Sequence, residues 1–378
     1  MHGLPFATES RSAMFSQTCS FNQDTQPDFI SSAKQPAMAT DASIPDPSIL
    51  LDLLEAFRRS KTMFAAVSLG VFDLLDGADA KVGQLAEKLS ANADALERLL
   101  DACVGLGLLN RTEGVYSNTK LATHYLLSNS QSRMTGYINY SNNVMWSMWG
   151  KLEDAVLEGT HRWQQCYGLD GPIFSHFFRD EAAKREFLMG MHGFGVISSP
   201  QVVSVMDLSR FQCLADLGGA TGHLAIAACE RYHTMRGIVF DLPAALPLAK
   251  EIVDQSSVAS RIELVGGDFF SDPLPSADLY ALGRILHDWS EDKIRLLLQR
   301  IFEALPSQGG ILVAEKLLFE DKTGPRWAQM QSLNMLTCTE GKERTLHEYE
   351  VLLNEAGFVN VIGCRTNSPL DATLAIKP

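Results

Sequence analysis

The chain of 378 residues is short of the features that would commit it to several large protein classes. Its seven cysteines (Cys19, Cys103, Cys166, Cys213, Cys229, Cys338, Cys364) are odd in number and scattered, with no C-x-x-C pair. Neither a disulfide framework nor a zinc knuckle is indicated, and reduced thiols in a cytoplasmic protein are expected. No apolar run approaches the ~18 residues of a membrane span. The N-terminus also lacks a charged segment followed by an apolar one, so no secretory signal is expected. Basic charge is scarce: 32 Lys and Arg against 45 Asp and Glu give a net charge of −13. That balance repels polyanions and argues against nucleic acid or an anionic membrane as partner. Residues 1–47 lack sustained apolar periodicity and are rich in Ser, Thr, Gln, Pro and Asp, the composition of a disordered arm. Its single arginine, Arg11, and its several acids count against an organellar transit peptide.

What is present is enough apolar residue, 46%, for a large core, in a chain long enough for two domains. From Ile49 the apolar positions fall at helical spacing: Ile49, Leu50, Leu53, Leu54 and Phe57, then Met63, Phe64, Val67, Leu69, Val71, Phe72 and Leu75. This density exceeds what one helix face needs inside its own domain, so part of it is expected to face a second subunit. A short helix opening at Val82, a second over 91–106 and a hairpin over 108–116 complete the outline of a winged helix within residues 48–130. DNA binding is the tempting function. The would-be recognition helix, however, carries Asp94, Glu97 and Asp101 against Arg98 alone, whereas phosphate contacts need Lys and Arg. A scaffold or dimerisation module is the better reading. Residues 131–205 form a helical linker crowded with large soft side chains, among them Met145, Trp149, Trp163, Phe177, Phe178, Phe187, Met191 and Phe194. Most belong in a core, but methionine and aromatic residues also suit a pocket for a flat aromatic molecule, with Met191 and Phe194 as candidate contacts. Gly190, Gly193 and Gly195 interrupt the helical pattern and predict a bend around a site.

Residues 206–378 are organised around L-A-D-L-G-G-A-T-G (214–222), a buried strand ending near Asp216, a glycine turn and a helix start. Such a turn lets the backbone approach a ligand and offers free N–H groups. A dinucleotide fold wants G-x-G-x-x-G. Counting from Gly218, Ala220 and His223 occupy the second and third glycine positions, which disfavours a nicotinamide oxidoreductase. The G-x-x-x-G spacing instead resembles the first motif of S-adenosylmethionine (SAM) methyltransferases, although an ordinary strand-to-helix turn also favours glycine. Strands at 237–240, 262–265, 279–282, 310–315 and near Leu374 alternate with helices at 244–253, 291–305 and 327–336. This predicts an α/β, mostly parallel, doubly wound sheet with ligands outside the carboxyl ends of its strands. Polar residues fall at those ends: Asp241 in F-D-L-P, Gly267, Asp268 and Phe269 in G-G-D-F-F, and Arg284, His287 and Asp288 in R-I-L-H-D-W. Asp241 can accept hydrogen bonds from both ribose hydroxyls, Asp268 can receive the adenine amine and Phe269 can stack on the ring. Each has a plain alternative: a helix-capping acid, a core phenylalanine, a loop histidine. Their occurrence at successive strand ends points to one ligand.

These motifs, followed by S-L-N-M-L (332–336) and T-E-G-K-E-R-T (339–345), resemble the plant-type, metal-independent small-molecule O-methyltransferases, and within them the acetylserotonin (hydroxyindole) O-methyltransferase family. The resemblance runs from about Leu50 to the C-terminus. It implies a class I SAM-methyltransferase fold, Rossmann-like, with a winged-helix-like N-terminal dimerisation domain. It also implies a homodimer and methyl transfer from SAM to the hydroxyl of a small aromatic acceptor, with N-acetylserotonin, the precursor of melatonin, as a candidate. SAM would be bound by Gly218, Asp241, Gly267, Asp268, Phe269, Arg284 and Phe178. His287 would be the general base, oriented by Glu343 and Glu315, and the acceptor would touch Asp288, Asn334, Cys338, Met191 and Phe194. No metal is expected, since the acids lie on separate strand ends without His-plus-carboxylate ligand spacing. Two departures bear on the pocket. Cys338 stands where the melatonin-forming enzymes carry a polar amide, and Gly195 and Phe178 align with a tryptophan and a tyrosine of their cofactor site. The competing readings are a catalytically silent binding or regulatory protein that keeps the fold, and a winged-helix transcription factor with a ligand-sensing domain. Intact His287, Asp288 and Glu343 argue against the first, and the acidic recognition helix against the second.

Overall fold

A computed structural model of the chain describes residues 45–378, so the disordered arm expected for residues 1–47 lies almost wholly outside the described residues. Residues 53–378 form one compact unit. Ahead of it, Asp46 Oδ1 accepts from the backbone N–H of Ser48 at 3.1 Å, at the start of the Ser48–Ser68 helix. On this helix Ile49, Leu50, Leu53, Leu54 and Phe57 are each more than half exposed. The first part of the dense apolar face therefore lies open, whereas Val71, Phe72 and Leu75 are buried in the N-terminal module.

The N-terminal module packs helices Val82–Leu89 and Ala93–Gly105 against a small antiparallel sheet of β1 (Ala80–Lys81), β2 (Leu109–Thr112) and β3 (Val115–Asn118), in the order β1-β3-β2. The predicted hairpin is the β2–β3 pair. Strand β1 is too short to show a period and became visible only through its pairing of Ala80 with Tyr116. Asn92 caps the second helix, accepting from the Ala95 N–H at 3.0 Å. Arg111 of β2 is held by Asp101 and Glu97 of that helix at 2.6 and 2.7 Å, so the acids of the would-be recognition helix pair with the wing's own arginine.

The predicted bend at Gly190, Gly193 and Gly195 does not occur. Glu181–Val205 is an unbroken helix of 25 residues, with Pro200 inside it. The glycines serve close approach instead. A Cβ on Gly193 would lie 2.8 Å from the Arg133 carbonyl oxygen, and one on Gly136 would lie 2.7 Å from the Met189 backbone. Absence of side chains thus brings the Thr135–Tyr140 helix down onto the long one.

The large sheet comprises β4 (Cys213–Leu217), β5 (Arg236–Asp241), β6 (Ile262–Gly266), β7 (Leu279–Gly283), β8 (Gly310–Ala314), β9 (Val359–Cys364) and β10 (Ala372–Ile376). Its order is β6-β5-β4-β7-β8-β10-β9, with β10 antiparallel to both neighbours and the remaining pairs parallel. Both faces are covered, which is why the strands read as continuous apolar runs. Ala215, Leu217, Phe240, Tyr280 and Leu282 pack on the side of the Glu291–Ala304 and Leu346–Glu355 helices. Leu214, Val239, Leu279 and Ala281 pack on the side of the long helix and the His223–Arg231 helix. In-step register sets Leu217 beside Phe240 and Asp241 beside Gly266, so the carboxyl ends finish on one rim.

Candidate active site

That rim opens into a cavity of about 530 Å³. One side is made by the strand ends and the other by helical side chains. On the strand-end side the β4 turn needs left-handed backbone at Gly218, Ala220 and Gly222 (φ 71°, 50° and 81°). At Gly218 a Cβ would also lie 2.4 Å from Ile285 Cδ1, so that side chain would have to move aside. Asp241, at the end of β5, ties the turn down: its two carboxylate oxygens accept the N–H groups of Ala220 and Leu242, each at 2.7 Å. Burial outweighs these hydrogen bonds and raises the Asp241 pKa to about 6. Beneath the turn, burial and the neighbouring charge of Asp241 push Asp216 up to about 7. Asp268 accepts the Phe270 N–H at 2.8 Å and lines the cavity with Gly267 and Phe269. Arg284 follows β7 with φ 61°, an uncommon conformation for a side-chain-bearing residue. Its guanidinium lies 5.0 Å above the Phe194 ring. Phe178 joins this side, packing toward Leu188, Ala245 and Leu248.

His287 sits on the short turn after β7 and is 3% exposed. Its Nδ1 lies 2.6 Å from Glu343 Oε1, so Nδ1 donates to Glu343 and the neutral ring keeps its lone pair on Nε2. Nε2 is 3.8 Å from Asp288 Oδ1, beyond hydrogen-bond distance. Burial opposes an imidazolium here, but the charges of Glu343, Glu315 and Asp288 prevail and raise the His287 pKa to about 9. Asp288 is itself raised to about 6, by burial first, with His287 acting against that rise. The glycine of T-E-G-K-E-R-T now has a reason. A Cβ on Gly341 would lie 2.2 Å from the His287 carbonyl oxygen, so only glycine lets this loop deliver Glu343 beneath the ring.

Glu315 does not orient the imidazole in the way expected for it. Its Oε1 accepts the backbone N–H groups of Ile285 and His287, each at 3.1 Å, and Oε2 is bonded by the Tyr349 hydroxyl. It therefore fixes the turn rather than the ring. Sequence spacing showed no histidine–carboxylate cluster, yet folding places ligand atoms of His287, Glu315 and Glu343 within 4.8 Å of one another. Hydrogen bonds account for this grouping.

On the helical side, Tyr140, Phe174, Phe177, Phe187, Met191 and Trp289 line the cavity together with Asp288, Asn334 and Cys338. Trp149 Nε1–H donates to Asn334 Oδ1 at 2.9 Å, and Cys338 Sγ–H donates to the Asn334 carbonyl at 3.0 Å. Burial raises the Cys338 thiol pKa well above its usual value, so it presents an uncharged S–H. Phe194 departs from its expected role as a substrate contact: it does not line the cavity, but backs Arg284 and meets the Tyr137 ring edge-on at 4.2 Å. Two lining residues, Tyr137 and Tyr140, were missed. Their i, i+3 spacing on one helix was the available signal, hidden among neighbouring core positions. His223 was also missed, read only as a residue breaking a glycine pattern.

A family profile described as O-methyltransferase domain matches residues 149–359, and one described as O-methyltransferase dimerisation domain matches 51–128. The latter covers most of the open apolar face. A human protein named probable bifunctional dTTP/UTP pyrophosphatase/methyltransferase is 42% identical over 88% of this chain, which spans 54% of that protein's length. Acetylserotonin O-methyltransferase of Gallus gallus is 40% identical, with 88% of this chain and 97% of the relative covered. The crystal structure of human N-acetylserotonin methyltransferase in complex with SAM superposes with a TM-score of 0.84 at 38% identity, covering 90% of this chain and 99% of that one. The strand-end side suits SAM: it offers carboxylates and an aromatic ring for a nucleoside, and a glycine turn with no room for a Cβ. No helix among the described residues is long and apolar enough to cross a membrane. The chain belongs to the SAM-dependent O-methyltransferases, of the acetylserotonin O-methyltransferase type.

Proposed function

We propose that the acceptor is a small aromatic hydroxyl compound, with N-acetylserotonin as the first candidate, and that His287 removes its proton. The observation that supports this most is the buried Nδ1–Glu343 hydrogen bond at 2.6 Å, which leaves Nε2 of a cavity-lining imidazole as proton acceptor. SAM, held by Gly218, Asp241, Gly267, Asp268, Phe269 and Arg284, supplies a methyl group on a cationic sulfur whose charge also counts against an imidazolium beside it. His287 is well matched to its task. A phenol has a pKa near 10; the carboxylates lift His287 toward it, to about 9 in the free protein, and the sulfonium brings it back toward the operating pH, where general-base catalysis is efficient. Glu343 fixes the tautomer and stabilises the imidazolium once formed. Glu315 acts one step back, holding the backbone turn that carries the base. The aromatic walls sandwich a flat ring and exclude water, and Asp288 and Asn334 offer polar contacts to its substituents. Cys338 makes the pocket less polar at the position where the melatonin-forming enzymes carry an amide. Acceptors without an amide side chain should therefore compete well with N-acetylserotonin.

The test is incubation with radiolabelled SAM and a panel of hydroxyindoles, phenols and naphthols, with product identification by mass spectrometry. O-Methylation of at least one flat aromatic hydroxyl is expected. Turnover confined to aliphatic alcohols or amines would sink the proposed substrate class.

A further inference from the structure

Gly195 sits in the middle of the 25-residue helix beside the cavity. The space above it is filled from elsewhere. A Cβ on Gly195 would lie 2.2 Å from both Cγ and Cδ2 of His223, and 2.4 Å from its Nδ1. His223 opens the helix that follows the glycine turn and is among the residues lining the cavity. Nδ1 is 2.9 Å from Ser199 Oγ, one helical turn beyond Gly195. The ring is thus wedged against glycine, pinned at one nitrogen by a serine, and left with Nε2 as its remaining polar atom. Wall material missing from one helix is supplied by the other, as an imidazole that can donate a hydrogen bond.

We propose that His223 is a SAM-contacting residue whose Nε2–H hydrogen-bonds the carboxylate of the methionine moiety. This rests on the placement of SAM along the strand ends argued above. The order β6-β5-β4-β7 spreads the molecule across the rim. Adenine falls at the end of β6 beside Asp268 and Phe269, ribose at β5 beside Asp241, and the methionine moiety at β4 and β7. His223 is the first residue of the helix leaving β4, where free N–H groups favour a carboxylate over an ammonium. Burial, with the nearby charges of His192 and Arg284, pushes the His223 pKa down to about 3, so the ring is neutral. On this proposal Ser199 Oγ–H donates to Nδ1 across their 2.9 Å contact, the tautomer that puts the ring proton on Nε2. Arg284 adds positive charge nearby, which again suits the carboxylate.

The experiment is calorimetric titration with SAM and with 5′-methylthioadenosine, which keeps adenine, ribose and sulfur but lacks the amino-acid group. His223→Ala should weaken SAM roughly ten- to hundredfold, the loss of one charge-assisted hydrogen bond, and leave methylthioadenosine within about twofold. His223→Gln, which keeps a donor, should retain most SAM affinity. The double variant Gly195→Ala/His223→Ala refills the vacated space and should melt close to wild type while binding SAM as weakly as His223→Ala. Equal weakening of both ligands would make His223 a packing residue only and overturn the proposal, as would unchanged SAM affinity in His223→Ala. Asp241→Ala separates this from the underlying placement: it should weaken both ligands alike, and if it weakens neither, the placement of the nucleoside fails whatever His223 does.

Discussion

The strand-end half of the cavity draws Gly218, Asp241, Asp268, Phe269 and Arg284 from positions within a few residues of a strand terminus, where sheet register sets their spacing. The helical half draws Tyr140, Phe177, Phe187, Asn334 and Cys338 from helices far apart in the chain, joined through side-chain contacts such as Trp149 to Asn334 and Trp163 to the Cys338 carbonyl. The first half is fixed by backbone geometry, so its residues are defined by chemistry at each place. The second is fixed by packing, so volume and shape matter there, and a change of one lining residue can be absorbed. On the proposed placement, a common donor is read by the rigid half and a variable acceptor by the adaptable one. His287 lies at the seam, carried by a strand-end turn but steadied by Glu343 from the loop after the Arg326–Cys338 helix.

The comparison would break first at this seam. His287→Gln should lower turnover on phenolic acceptors by roughly 10²-fold or more, with SAM affinity nearly intact at about pH 9, where the imidazolium no longer opposes the sulfonium and the imidazole serves the reaction and not donor binding. The loss should shrink for acceptors acidic enough to ionise unaided. Wild-type rates across acceptors of graded pKa would reduce His287 to a structural residue. A smaller effect belongs to the strand-end half alone. Asp241→Ala removes a buried charged acceptor, worth on the order of 1.5–3 kcal/mol, and should weaken SAM at least tenfold while leaving the acceptor KM unchanged at saturating SAM. Equal damage to both constants would mean the two halves are not independent.

The same difference explains what could be read in the chain beforehand. Strand-end residues stand inside short motifs with a period of their own, so Asp241, Asp268, Arg284 and His287 were identifiable one strand at a time, as was the alternating α/β order. The helical half carries no such local mark. Phe194 and Met191 share a helix and an apolar character, yet Met191 lines the cavity and Phe194 only backs it, a distinction set by helix rotation against Tyr137 and Arg284. Gly195 looked like a helix breaker because its partner, His223, lies on another element. The role of Glu315 depended on Tyr349 and two backbone N–H groups that no spacing rule relates to it.

The smallest expected effect concerns charge at the seam. In the free protein the carboxylates of Glu343, Glu315 and Asp288 overcome the burial of His287 and hold its pKa at about 9, so near pH 7.5 the ring is largely an imidazolium. Binding a sulfonium beside it places two cations together, and the imidazolium is disfavoured. SAM binding should therefore release a proton, and affinity should rise as pH increases from 7 toward 9, by no more than tenfold per pH unit. The sign follows from linkage: the free state holds the extra proton, so raising pH favours the state that has lost it, and the gain ends once pH passes the free-state pKa. Asp241 and Asp288, at about 6, are already ionised across this window. The amino group of SAM itself titrates near pH 8, so the comparison is with His287→Gln, which retains that contribution and lacks the imidazole. Calorimetry at pH 7, 8 and 9, in buffers of differing ionisation enthalpy, measures affinity and proton release together. A pH slope and proton count identical in wild type and His287→Gln would show that SAM binding takes no proton from His287, and the sulfonium would then not be what frees the ring to act as base.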